Sequence, residues 1–221
     1  MTRQSAWAAA VAALALSCTA AAHPGDEDTS TVMSSITVAA GEHRGNLATV
    51  NGSIRVGEGA VVGHAHTVNG SISLEAHATA AEAKTVNGSV SLNEGAQVSG
   101  SVHTVNGSLT LAKGADVAGG LANVNGSIRV NAAHVGGDLQ TVTGSIEIGP
   151  DAHVDGGVIV RKSEGTESRD TPPRVVVGPG SVVKGTLRFE RPVELYVSDR
   201  ATIGPVEGAT PIKFSGDRPP R

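Results

Sequence analysis

The sequence is short of aromatic side chains: Trp7, Phe189, Tyr196 and Phe214 are all that 221 residues contain. A layered enzyme domain normally builds its core on such rings, so their scarcity argues against one. Cys18 is the single cysteine, which leaves no intrachain disulfide to staple the fold. There is no basic excess either. Charged residues make up 17% and the net charge is −4, so a partner held through phosphate contacts is not expected, and nucleic acid is excluded as a ligand class. What is abundant is glycine, 29 residues or about twice the usual share, together with small and branched aliphatics. A hydrophobic content of 39% is enough to bury a core and argues against a disordered chain.

Residues 1–22 read as a secretory signal. Arg3 supplies the positive start, Trp7 to Leu16 the apolar stretch, and Ala20-Ala21-Ala22 a small-residue cleavage site before His23. At ten residues the stretch is too short for a stable membrane span. The sequence around Ala15-Leu16-Ser17-Cys18 partly matches a lipobox, with Ala15 where bacterial lipoboxes usually carry Leu. Cys18 is therefore either removed with the signal or becomes a lipidated N-terminus, the one route to a membrane. The chain is expected to be exported, to a periplasm or a cell surface.

Internal repetition dominates the rest. Val50-Asn51-Gly52-Ser53-Ile54 returns with leading residues Val68, Val86, Val105, Val124 and, degraded, Val142. An earlier copy is Val32-Met33-Ser34-Ser35-Ile36. The copies stand 18 or 19 residues apart, and a finer period of six runs inside them through Val50, Val56, Val62, Val68 and Leu74. Three six-residue sides per turn describe a triangular coil with one inward anchor per side. Stacked coils bring equivalent residues roughly 4.8 Å apart, the spacing of paired strands. A helix is excluded, since apolar residues do not recur at helical spacing and glycine every few positions would be costly. The expectation is an all-β, single-stranded parallel β-solenoid, three-sided and right-handed, with coils of 18–19 residues. A leader at 23–31 precedes the solenoid at 32–206. A polar loop at 161–173 interrupts it, and a loose tail occupies 207–221.

The repeat also predicts columns of like side chains. Asn51, Asn69, Asn87, Asn106 and Asn125 mark one corner, where Asn-Gly supplies the φ > 0 that turns the chain and stacked amides can form a ladder. Thr49, Thr67, Thr85, Thr104 and Thr141 form a second column, interrupted by Asn123. Ser53, Ser71, Ser89, Ser108 and Ser127 form a third, continued by Ser145. Facing outward, these hydroxyls and amides would make a regular array for a repetitive ligand such as a cell-surface glycan. The structural alternative is that Thr suits strands and Ser suits the turn after Asn-Gly.

The stretch Ile148-Gly-Pro-Asp-Ala-His-Val154-Asp-Gly-Gly-Val158 resembles the coils of bactofilins, bacterial polymer-forming β-solenoid scaffolds. The Thr-Val-Asn-Gly-Ser-Ile coils resemble exported adhesin-type β-solenoids of bacteria. Together these resemblances cover residues 32–206 and imply coil geometry, with no catalytic residue to carry over. The chain departs from bactofilins, which lack a cleavable signal, in carrying one.

Catalytic chemistry finds little purchase. His64, His66, His77, His103, His134 and His153 lie at differing offsets in their coils. His66 and His103 share a column but stand two coils, about 9.6 Å, apart, too far for one metal ion. They read as solvated side chains without a carboxylate partner, which weighs against a hexapeptide-type acyltransferase. Ser181-Val-Val-Lys184 matches a nucleophile motif that needs a helix the pattern does not provide. The reading is a non-enzymatic exported solenoid, without cofactor or metal, in a structural or adhesive role in a bacterial envelope. Self-association through the terminal coils is its expected mechanism, and glycan binding through the Thr/Asn/Ser face the alternative.

Overall fold

The computed structural model describes residues 27–162 and 172–220. The signal at 1–22, Cys18 and most of the polar loop at 161–173 lie outside the described residues. Within them the chain is all-β, its strands parallel and stacked in about 10 coils as a β-solenoid. A coil such as Leu109–Leu111, Asp116–Val117 and Leu121–Ala122 places one short strand on each of three sides. One side is a ten-stranded sheet running from Ile36–Val38 to Ile212–Phe214. The other two merge into a seventeen-stranded sheet, because Val61–Asn69 and Thr79–Asn87 run unbroken around the corner between them.

Register follows the repeat. Ile36 pairs with Ile54, Ile54 with Ile72, Ile72 with Val90, and Val90 with Leu109. Ile128, Ile146 and Val175 extend that column, and all of these side chains are buried. On the third side Leu47, Ala65, Ala83, Val102, Leu121 and Leu139 fill the interior. Alanines at the turn (Ala60, Ala78, Ala96, Ala115, Ala133 and Ala152) form another inward column, which Ser181 continues. Burying one Leu, Ile or Val contributes about 1.5–3 kcal/mol, so many such increments replace the few large rings the sequence lacks. Phe189 and Phe214 are buried in the last coils, and the Arg174 guanidinium lies 4.5 Å over the Tyr196 ring.

Three expectations are corrected. The leading valines are not inward anchors: Val50, Val68, Val86, Val105 and Val142 are half-buried on the outer surface and Val124 is exposed. Strand alternation puts Leu47 and Thr49 inside, and therefore Ala48 and Val50 outside. The solenoid also begins earlier than residue 32, since Thr29–Thr31 pairs with Leu47, Ala48 and Thr49. Nor is the segment after 207 simply loose. Ile212–Phe214 pairs with Tyr196, Val197 and Ser198, and the Arg174 side chain donates to the Pro220 carbonyl at 2.7 Å.

Candidate functional site

The corner built by Thr-Val-Asn-Gly-Ser is the most regular surface of the molecule. Along it Asn69 donates its amide to Asn51 Oδ1, Asn87 to Asn69, Asn106 to Asn87, and Asn125 to Asn106, each at 2.9 Å. Thr143, standing where a sixth Asn would be, closes the ladder by donating its hydroxyl to Asn125 Oδ1. The serines bond along the same axis. The backbone N–H groups of Ser53, Ser71, Ser89 and Ser108 donate to the hydroxyl oxygens of Ser35, Ser53, Ser71 and Ser89 at 3.0–3.3 Å. Ser108 and Ser127 join hydroxyl to hydroxyl at 3.1 Å.

The glycine between them is required for space. A Cβ on Gly70 would stand 1.9 Å from the Gly52 carbonyl oxygen, and one on Gly88 would stand 2.0 Å from that of Gly70. The expected φ > 0 is found here only at Gly126, the last intact copy. Left-handed residues sit instead at another turn of the coil, in the column Gly59, His77, Gly95, Gly114, Ala132, Asp151 and Gly180.

The threonines correct the ligand-array expectation. Thr49, Thr67, Thr85, Thr104 and Thr141 are 1–5% exposed and point inward. The Thr67, Thr85 and Thr104 hydroxyls donate to the carbonyls of Gly52, Gly70 and Gly88 at 2.8–2.9 Å, and Thr49 does the same to Ser34. Those carbonyls aim into the next coil at the point where its glycine leaves the backbone close. The inward hydroxyl supplies a donor there to a carbonyl in a part-buried corner. Asn123 occupies the same column and reaches the Gly107 carbonyl at 3.5 Å, with its own Oδ1 buried and unpartnered. Farther along, where the corner is no longer Asn-Gly-Ser, the column turns apolar as Thr141 pairs with Val160 and Val160 with Phe189. The outward array is thus valine, asparagine and serine.

The histidines are not all solitary. His64 pairs in register with Glu82, and His66 with Lys84. His64 Nδ1 lies 3.3 Å and His66 Nε2 3.8 Å from Glu82 Oε2, while Lys84 Nζ holds Oε1 at 2.5 Å. His66 beside it, opposed by burial and reinforced by the Lys84 ammonium, holds the Glu82 carboxyl down at about 2. His103 stacks on the other side of Lys84, and burial, aided by that ammonium, pushes its pKa down. A second cluster surrounds His134. Nδ1 meets Asp116 Oδ1 at 2.5 Å and Nε2 meets Asp155 Oδ2 at 3.2 Å, and the two carboxylates raise its pKa. Lys184 binds Asp155 at 2.7 Å, and these groups line an open groove of about 400 Å³. His77 and His153 are exposed.

These pairings correct the expectation of histidines without carboxylate partners. The acids lie in neighbouring coils, far from the histidines in sequence, and the repeat length is the signal that connects them. Glu82 follows His64 by 18 residues, and Asp116 precedes His134 by 18. Ser181 and Lys184 serve separate ends. The buried Ser181 hydroxyl donates to the Gly178 carbonyl in its own turn, and Lys184 faces Asp155. Comparison with protein-family models, curated proteins and solved structures finds no match to this chain.

Proposed function

We propose that the protein is a non-enzymatic, exported β-solenoid with a structural role in a bacterial envelope, and that it works by end-to-end association. One observation carries this reading: exposed large hydrophobic side chains gather at the two ends. Val32 and Met33, 63% and 81% exposed, lie in the first coil, and Ile212, 48% exposed, in the last. Among the described residues only Val124 joins them, at 37%. The terminal strands Ile36–Val38 and Ile212–Phe214 each have one neighbour in their sheet, so each offers a free edge. The corner supports the same reading, because its threonines, asparagines and serines bond from coil to coil.

Light scattering and negative-stain microscopy across protein concentrations test it. The expected result is rods that lengthen with concentration and shorten when Ile212→Lys blocks one end. A monomer at every concentration overturns the proposal. If that monomer is also retained on cell-surface polysaccharide, the asparagine–serine face becomes the functional surface.

A further inference from the structure

We propose that His64, His66 and Glu82 form a binding site for a divalent transition-metal cation of the Zn²⁺ type. One ligand atom from each of the three residues lies within 4.8 Å of the other two, and Glu82 Oε2 stands 3.3 Å from His64 Nδ1 and 3.8 Å from His66 Nε2. The proposal stands on these residues alone and does not depend on end-to-end association.

The local fold explains how the three meet. His64 and His66 flank Ala65, which is fully buried, so strand alternation turns both imidazoles to the same outer side. Their rings stand edge to face with centroids 5.8 Å apart. Glu82 arrives from the next coil, in register with His64. Lys84 then fixes the carboxylate through Oε1 and leaves Oε2 turned toward both rings. A carboxylate oriented through its second oxygen is the kind of outer support that metal ligands commonly receive.

The donor atoms have an unmet need. Nδ1 of His64 and Nε2 of His66 are shut off from water, and although both approach Glu82 Oε2, neither makes a well-aligned hydrogen bond to it. Polar atoms are costly to leave in that state, and here two of them converge on one carboxylate oxygen. A single cation satisfies all three. Tetrahedral zinc with ligands at about 2.0–2.1 Å sets its donors roughly 3.4 Å apart. The 3.3 Å between His64 and Glu82 already matches, and the 3.8 Å between His66 and Glu82 requires only a small closing movement. Two imidazoles and one carboxylate favour zinc and its transition-metal neighbours over calcium or magnesium, which prefer oxygen donors throughout. Three protein ligands leave one position open to water or to a donor from elsewhere.

Calorimetric titration of the full chain with Zn²⁺, alongside the absorption spectrum with Co²⁺, tests the site. The expected result is one equivalent bound, a visible Co²⁺ ligand-field band, and no comparable response to Mg²⁺. His66→Gln and Glu82→Gln each weaken binding by more than about tenfold, since losing a direct ligand costs at least as much as losing an outer partner. His134→Gln, in the other cluster, leaves it unchanged. Circular dichroism confirms that each variant retains the strand signal. Binding that persists undiminished in a His64→Gln/His66→Gln double variant overturns the proposal, and so does the absence of a Co²⁺ band in the wild-type chain.

Discussion

Replacing Thr85 by valine tests the central claim about the corner, that an inward hydroxyl is needed wherever a glycine carbonyl faces the next coil. The Thr85 hydroxyl donates to Gly70 at 2.8 Å, and the residue is only 3% exposed. Valine keeps the shape and removes the donor. Leaving the carbonyl unsatisfied costs about 1–3 kcal/mol. The added buried methyl returns about 0.8 kcal/mol, so the net loss is about 0.2–2.2 kcal/mol. In a domain of this size each kcal/mol lowers the melting temperature by about 2–4 °C, which puts the expected fall between about 0.4 and 9 °C. Thermal and urea unfolding followed by circular dichroism measure it. Thr110→Val is the control, because Thr110 lies between the buried Leu109 and Leu111 and faces outward, where the change should stay within about 0.5 kcal/mol. Thr67 and Thr104 stand two coils apart, about 9.6 Å, so a double Thr→Val variant should lose close to the sum of the two single losses. A Thr85→Val chain as stable as wild type would refute the reasoning and reduce the column to strand propensity.

Further outcomes follow from the same geometry. Gly70→Ala forces a Cβ to within 1.9 Å of the Gly52 carbonyl, so neighbouring backbones must part; a loss above about 3 kcal/mol is expected by urea unfolding. Asn123→Thr restores the column, removes a buried unpartnered Oδ1, and should raise stability by about 1 kcal/mol in the same assay. Asp116 and Asp155 favour the protonated form of His134, so its folded pKa lies above the unfolded one. The stability it supplies is complete below about pH 6.5 and is lost as pH rises through the folded value. The melting temperature should therefore fall more steeply above neutrality in wild type than in His134→Gln, and an NMR titration of the imidazole with a midpoint at or below 6.5 would contradict the pairing.

How much of this was written in the sequence depends on the kind of regularity involved. The coil length and the parallel stack were legible because Asn-Gly-Ser recurs at 18 or 19 residues, and a pattern repeated that often admits few folds. Orientation within the coil was not. The six-residue spacing fits Val50 as well as it fits Val56, yet only Val56 is buried, because the strand from Leu47 sets its own inside–outside alternation before the corner. Counting apolar residues favoured valine as the inward member of Thr-Val. The backbone decided otherwise, since a glycine carbonyl facing the next coil calls for a donor that valine lacks.

The histidine–glutamate cluster belongs to a third kind, in which the repeat length relates residues that are themselves not repeated. A search down columns of identical side chains passes over it, because His64 is followed one coil later by Glu82 and not by another histidine. A solenoid turns sequence distance into spatial adjacency by a fixed rule, so any ligand set in it can be sought by pairing each residue with those 18 or 19 positions away. Applied here, that rule brings His64 to Glu82 and His66 to Lys84, and it joins Asp116 to His134 and His134 to His153. Both histidine clusters therefore lie where irregular residues of neighbouring coils stack, while the regular columns hold the coils together.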